Sequence, residues 1–315
     1  MELRNLGKSG LRVSFVGLGC NNFGWRIDLE ASRKVVNRAL ELGVNLLDTA
    51  DMYGDGQSEE MLGQILGPRR KDVVLATKFA AAFSGVEGGP FGSRRYVMSA
   101  VEASLKRLKT DYIDLYQYHW PDPRTPMEET LRALDDLVHQ GKVRYVGLSN
   151  HPAWRVVEAA WLARDARLNA FVSCQDEYSL LVRGVERELV PAMRAYGLGL
   201  LPYFPLASGL LTGKYRKGGS LPAESRFASK SMGGLGNRYM TEENWPIVQR
   251  LEKLAADRGH SILELAFGWF AANPTVSSVI AGATKPEQVE QNVKAIGWAI
   301  DADTLAEIDK ITAKA

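Results

Sequence analysis

The sequence predicts a (β/α)8 TIM barrel with an N-terminal β-hairpin and a long loop after the seventh strand. Three observations predict it. Eight short, near-continuous apolar runs alternate with amphipathic segments, as parallel strands covered on both faces require. Asp48, Lys78 and His119 end three successive runs, and Tyr53 follows five residues after Asp48. In a parallel barrel all strands end on one shared face, so charged and polar groups at those ends gather in one place. Finally, 315 residues fit one such barrel with insertions, and no linker or composition break divides residues 1–315 into two domains.

Residues 1–13 read as a hairpin with Gly7-Lys8-Ser9-Gly10 as its turn. The eight runs are Phe15–Gly19, Val44–Asp48, Val73–Lys78, Ile113–His119, Val143–Asn150, Phe171–Gln175, Leu198–Phe204 and Val276–Gly282. Between them apolar residues recur at helical spacing: Val101, Leu105 and Leu108; Leu131, Leu134 and Val138; Val289, Val293 and Ile296. A last helix is expected over about Ala302–Ile311. Leu206 to Met240 breaks the period. It is rich in Gly and Ser and carries Lys214, Arg216, Lys217, Arg226, Lys230 and Arg238 against Glu224. A loop of that length is functional or a surface insertion, and its basic charge suits an anionic ligand.

The 39 basic and 37 acidic residues nearly balance, which argues against a dedicated nucleic-acid binder. Cys20 and Cys174 have no metal-ligand spacing and suit a reducing compartment. Met1–Gly7 has no apolar signal region, and no stretch approaches the ~20 apolar residues of a membrane span. A cytoplasmic protein is expected.

An acid, a phenol, an ammonium and an imidazole on one barrel face make a proton-handling site. A free tyrosine titrates near ~10 and keeps its proton at neutral pH. Lys78, one strand from Asp48, can favour the phenolate of Tyr53. Asp48 can pair with Lys78 and keep it charged, and His119 can hydrogen-bond a substrate oxygen. Singly, each residue has a duller explanation: a helix cap, a lysine reaching for water, a structural histidine. Their joint placement is harder to explain that way.

Ser149, Asn150 and Gln175 end the fifth and sixth runs and offer the donors and acceptors a carboxamide needs. Tyr203 ends the seventh and offers a flat face to a planar ring. A helix N-cap is the alternative for Ser149-Asn150, and core packing for Tyr203. Gly282-Ala283-Thr284-Lys285-Pro286-Glu287 leads into the last barrel helix; its N–H groups and Lys285 make a phosphate site of the kind found after the final barrel strands. Gly17–Gly24 lacks G-x-G-x-x-G spacing, and Gly209–Tyr215 is one residue short of a P-loop. No metal cluster is indicated, and His139, His151 and His260 read as surface or capping residues.

Along essentially its whole length the chain resembles the aldo-keto reductases. Leu47-Asp48-Thr49-Ala50-Asp51-Met52-Tyr53-Gly54, Ala76-Thr77-Lys78, Tyr116-Gln117-Tyr118-His119-Trp120 and Gly141–Asn150 are similar to the family's signatures. Tyr203-Phe204-Pro205-Leu206-Ala207 and Gly209–Tyr215 resemble the segment that stacks on and wraps the cofactor. The resemblance implies reduction of small aldehydes or ketones with NADPH. Tyr53 would be the proton donor, Lys78 its modulator, Asp48 the lysine's partner and His119 the carbonyl-orienting group. It also implies that Ser149, Asn150 and Gln175 hold the carboxamide and that Tyr203 stacks on the nicotinamide. Asp48, Phe204, Leu206, Gly209, Lys214, Arg226, Gly282, Ala283, Thr284, Lys285, Gln288 and Asn292 complete the implied cofactor contacts. Many relatives carry a cation at the positions of Gly282, Thr284 or Gln288, where the adenosine 2′-phosphate binds. Here these are neutral, so selectivity over NADH is expected to weaken. The adenine contact falls to Gln291-Asn292.

The branch with the long loop contains bacterial reductases and potassium-channel β-subunits, so a cofactor-binding regulatory subunit stays open beside the reductase. A Schiff-base lyase acting through Lys78 is a third reading, disfavoured because Asp48 keeps the amine charged. Trp25 and Trp120 are expected at the substrate pocket with Tyr53 and His119, and Phe79 or Phe83 either lines it or packs. Oligomeric state does not follow from the sequence.

Overall fold

In the computed structural model the chain is described at residues 1–81, 89–221, 227 and 238–313. Phe83, Glu224, Arg226 and Lys230, singled out above, lie outside the described residues. Leu3–Asn5 (β1) and Arg12–Ser14 (β2) pair antiparallel, one residue longer than the expected hairpin. Eight parallel strands follow: Val16–Gly19 (β3), Leu46–Asp48 (β4), Val74–Phe79 (β5), Ile113–Tyr118 (β6), Val143–Ser149 (β7), Ser173–Glu177 (β8), Gly199–Tyr203 (β9) and Val279–Gly282 (β10). They hydrogen-bond in the order β10-β3-β4-β5-β6-β7-β8-β9. A parallel bridge between Leu200 and Val276 brings the two edges together, with the Leu200 N–H 2.7 Å from the Thr275 carbonyl. The result is a nearly closed (β/α)8 barrel, which removes the exposed sheet edges that invite aggregation.

The barrel interior is filled by Leu46, Val74, Ala76, Leu115, Leu201 and Ile280, and Leu6 and Val13 from the hairpin belong to the same cluster. The hairpin turn plugs the end where strands begin. Gly7 has φ +58, and a Cβ there would meet the Gly197 carbonyl at 2.5 Å and the Gly199 nitrogen at 2.7 Å. Only a glycine fits that approach.

Helices line the outside of the barrel. Their buried stripes largely follow the sequence periodicity: Val97, Val101, Leu105 and Leu108 of Arg94–Leu108, and Leu131 and Leu134 of Met127–His139, where Leu137 is buried and the expected Val138 only partly so. Burying each such aliphatic side chain contributes about 1.5–3 kcal/mol. Their starts are set by side-chain caps at Asp28, Ser93 and Asp301, and by a capping box between Ser261 and Glu264. The last helix, Ala302–Thr312, runs one residue beyond its expected end. The eighth strand begins at Val279 rather than Val276; Val276 bridges Leu200 of β9, the Ser277 N–H donates to the Leu200 carbonyl at 2.9 Å, and Ser277 Oγ donates to the Asn5 carbonyl under the hairpin. Among the described residues no helix is long and apolar enough to cross a membrane.

Candidate active site

Strand register brings the ends of β4, β5 and β6 together, with Asp48 beside Ala76 and Lys78 beside Gln117. Lys78 is fully buried. Its ammonium donates to Asp48 Oδ2 at 2.7 Å, to the Thr49 carbonyl at 2.8 Å and to the Tyr53 hydroxyl at 3.3 Å. An ammonium has three protons, and here each has an acceptor. Burial works against the charge, but Asp48 and Tyr53 outweigh it and hold the Lys78 pKa above its ordinary value. Asp48 Oδ1 accepts from Gln117 Nε2 at 3.1 Å and from Gln175 Nε2 at 2.8 Å. The sequence reading missed Gln117. Its signal was a polar residue inside a strand covered on both faces.

Burial pushes the Tyr53 pKa above its ordinary value, and the attraction of Lys78 for the phenolate offsets only part of that. Tyr53 is thus a protonated donor, and the Lys78 ammonium beside it favours its conjugate base as the sequence leads one to expect. His119 is buried, and burial followed by the charge of Lys78 drives its pKa well below 6.5. The imidazole is therefore neutral at pH 7. Its Nδ1 is enclosed with no hydrogen-bond partner, and its ring meets Tyr53 edge-on at 6.1 Å.

Ser149 and Asn150 form a second cluster at the end of β7. Ser149 Oγ donates to the Gln175 carbonyl at 2.8 Å. Asn150, with φ +60, donates to the His119 carbonyl at 3.0 Å and accepts from the Tyr203 hydroxyl at 2.8 Å. The next helix starts after Pro152 with no side-chain cap, so the capping alternative for these two residues does not hold. His151 is buried rather than at the surface. Its Nδ1 donates to the Ser149 carbonyl at 2.7 Å, and burial lowers its pKa to about 4.

These groups open onto one cavity of about 840 Å³, a size suited to a large organic ligand. Asp48, Tyr53, His119, Trp120, Ser149, Asn150, Gln175, Tyr203, Phe204, Leu206, Gly209, Lys214, Gly282, Thr284, Gln288 and Asn292 all line it. Three expected contacts do not. Trp25 turns its Nε1 to the Asn21 carbonyl and is 41% exposed. Ala283 is buried, with its carbonyl accepting from Asn22. Lys285 sits at the N-cap of the helix Pro286–Lys294. Phe79 also packs instead of lining the pocket, stacked against Tyr116 at 4.7 Å and Tyr118 at 5.2 Å. Gln288 Oε1 accepts from the Thr284 N–H at 2.7 Å, which ties the adenosine-side loop to its helix.

The segment after β9 forms the opposite lip. Phe204, Ala207, Ser208 and Gly209 all have positive φ, from 46° to 104°. Such strain in non-glycine residues is retained where the surroundings enforce it, often at ligand clamps. Ser208 Oγ is buried without a partner in the cavity wall. The sequence reading missed Ser208, and also Asn21, Asn22, Arg26 and Met52, which come from loops after β3 and β4. The basic character of the lip is reduced by ion pairs: Arg216 with Glu252, Lys217 with Glu242 and Arg238 with Glu177. Lys214 and Arg238 are the cations of this segment that reach the cavity among the described residues. No group of three or more His, Cys, Asp or Glu among those residues could hold a metal.

Residues 16–313 match the model of the Aldo/keto reductase family. A probable voltage-gated potassium channel subunit beta of Oryza sativa is 41% identical, covering 99% of this chain and 96% of that protein. The probable subunit beta of Arabidopsis thaliana is 39% identical over 94% of this chain and 91% of its own length. L-glyceraldehyde 3-phosphate reductase of Escherichia coli K12 is 35% identical over 98% and 92%. With the fold, these matches make this chain a member of the aldo/keto reductase family.

Proposed function

We propose that this protein reduces an aldehyde or ketone to an alcohol with NADPH, Tyr53 giving the proton to the carbonyl oxygen. The observation that carries the reading is the Lys78 ammonium bonded to both Asp48 and the Tyr53 hydroxyl. The donor set fits a nicotinamide cofactor: Ser149, Asn150 and Gln175 supply amide-matching groups, Tyr203 a flat ring, and Ser208 Oγ a buried hydroxyl still without a partner. When bound, such a cofactor supplies the hydride for the carbonyl carbon. The chain's own work is proton handling. Neutral His119 and the Tyr53 hydroxyl hold the carbonyl oxygen, the Tyr53 proton passes to it as negative charge develops, and Lys78 stabilises the phenolate left behind. Asp48, tied to Gln117 and Gln175, keeps Lys78 charged and fixed. With its three protons committed to oxygens, Lys78 is no Schiff-base nucleophile.

Cofactor oxidation across an aldehyde and ketone panel, with NADPH and NADH side by side, tests the reading. Turnover with an NADPH preference is expected. The similarity to proteins named as channel subunits favours one second reading, a cofactor-binding regulatory subunit. Tight cofactor binding without turnover on any carbonyl would move the weight there.

A further inference from the structure

The outward-facing side of β4 and β5 carries a second polar network. Neighbouring residues of a strand point to opposite faces, so where Lys78 enters the barrel Thr77 leaves it. Thr49 faces outward just past Asp48. Both threonines are fully buried. Both are held by the first turn of one helix, Gln57–Leu66. Glu59 Oε1 accepts from Thr77 Oγ1 at 2.5 Å. Ser58 Oγ lies 2.8 Å from Thr49 Oγ1 and donates to the Cys20 carbonyl at 2.9 Å, so the Thr49 hydroxyl donates to Ser58. The same helix start holds the proton donor, because the Ser58 N–H donates to the Tyr53 carbonyl at 3.2 Å. Thr49 matters twice, since its carbonyl is one of the three acceptors around the Lys78 ammonium.

The helix start is itself pinned from outside. Arg107 of Arg94–Leu108 donates from Nε to Glu59 Oε2 at 2.7 Å, so each oxygen of this fully buried carboxylate has a partner. The two helices come this close because residue 63 is glycine: a Cβ there would collide with the backbone of Arg107 and Leu108. A buried ion pair adds little net stability, since desolvation offsets its attraction. Its effect here is on position. We propose that Ser58 and Glu59 are positioning residues that set the Lys78 ammonium 3.3 Å from the Tyr53 hydroxyl. Through Thr77, Thr49 and the Tyr53 carbonyl they hold the lysine's strand, one of its acceptors and the phenol's own backbone against a single helix turn. Lys78 comes from a strand and Tyr53 from a loop, and proton transfer is sensitive to a fraction of an ångström between them. This positioning role rests on the reductase reading, in which Tyr53 gives the proton, and its test separates the two.

Thr77→Val cuts the link to Glu59, Thr77→Ser keeps it, and Ser58→Ala cuts the link to Thr49. In these variants and the unmodified protein, carbon-13 NMR follows the tyrosine Cζ resonances as pH rises, with Tyr53 identified by its loss in Tyr53→Phe. The position of the Tyr53 resonance at pH 7 and its alkaline movement both report the ammonium beside the hydroxyl. The groups facing that hydroxyl, Lys78, Asp48, Cys20 and His119, are intact in all three variants. Displacing Lys78 weakens its pull on the phenolate. Thr77→Val and Ser58→Ala are therefore expected to move the Tyr53 titration to higher pH and to lower kcat about tenfold, with KM and cofactor affinity unchanged. Thr77→Ser should restore both. The titration needs neither cofactor nor turnover, so a protein inactive on every carbonyl sinks the reductase reading while the Tyr53 resonance still decides the positioning role. Lower thermal stability with that resonance unmoved would make Ser58 and Glu59 ordinary packing and overturn the role. An unmoved resonance with unchanged stability overturns it equally. Should Thr77→Val not fold, Ser58→Ala decides by the same resonance.

Discussion

The two walls of the cavity are built on opposite plans. The wall made by β4, β5 and β6 holds Asp48, Lys78 and His119 buried at the ends of adjacent strands, with Asp48 and Lys78 bonded to each other and to Thr49, Tyr53, Gln117 and Gln175 at 2.7–3.3 Å. The wall after β9 opens on a run of left-handed residues, and Arg216, Lys217 and Arg238 beyond it are drawn off into ion pairs with Glu252, Glu242 and Glu177. Proton transfer needs reacting groups fixed to a fraction of an ångström, and strands in a packed barrel supply that. Wrapping a long flexible ligand needs backbone N–H groups and reachable cations, which a loop supplies. The difference teaches that burial does two jobs at the first wall: it fixes geometry, and it keeps Tyr53 protonated and His119 neutral.

The comparison breaks most sharply at Lys78. Lys78→Met leaves Asp48 buried without its cation, which costs about 3–5 kcal/mol, and removes the charge beside Tyr53, lowering kcat by about 10³-fold. Urea denaturation and steady-state kinetics check the pair; a stable, active variant would deny the strand-end wall its role.

His151 sharpens the same contrast through pH. Its folded pKa of about 4 lies below the ordinary histidine value of 6.5, so as pH falls the unfolded chain binds the extra proton first. The stability it contributes is full above pH 6.5 and is lost as pH falls from there toward 4, by roughly 3 kcal/mol in all at about 1.4 kcal/mol per pKa unit. His151→Gln should flatten that part of the pH–stability curve; an unchanged curve contradicts the assignment.

Asn150 bridges the walls. Asn150→Ala removes the bonds to Tyr203 and to the His119 carbonyl and puts alanine at φ +60. A loss of about 1–2 kcal/mol and cofactor binding about tenfold weaker are expected, with Asn150→Gly recovering the backbone part of the stability. At the loop wall, Arg238→Gln breaks an exposed pair with Glu177 and should change stability by less than ~1 kcal/mol. A larger loss there would mean the loop is as rigid as the strands.

What the sequence made legible follows the same division. Strand ends show in sequence as a polar residue closing an apolar run, so Asp48, Lys78, His119, Ser149 and Gln175 could all be found. The loops gave no period to read. Ser208 and Arg26 reach the cavity only because of where the chain turns, and His151 is buried because Tyr118 packs on it at 4.7 Å. Trp25 and Lys285 stand near the site in sequence, but neither is among the residues lining the cavity. The cations of the long loop looked available to a ligand because their acidic partners lie far along the chain, in Glu177, Glu242 and Glu252.

The central claim is that Tyr53 gives the proton while the rest of the cavity binds. Tyr53→Phe removes one hydroxyl and little else. Turnover of the best carbonyl substrate and the cofactor dissociation constant should be measured on the same preparation. A fall in kcat of about 10³-fold with cofactor affinity unchanged is the predicted result. Turnover within tenfold of the unmodified protein would contradict the account.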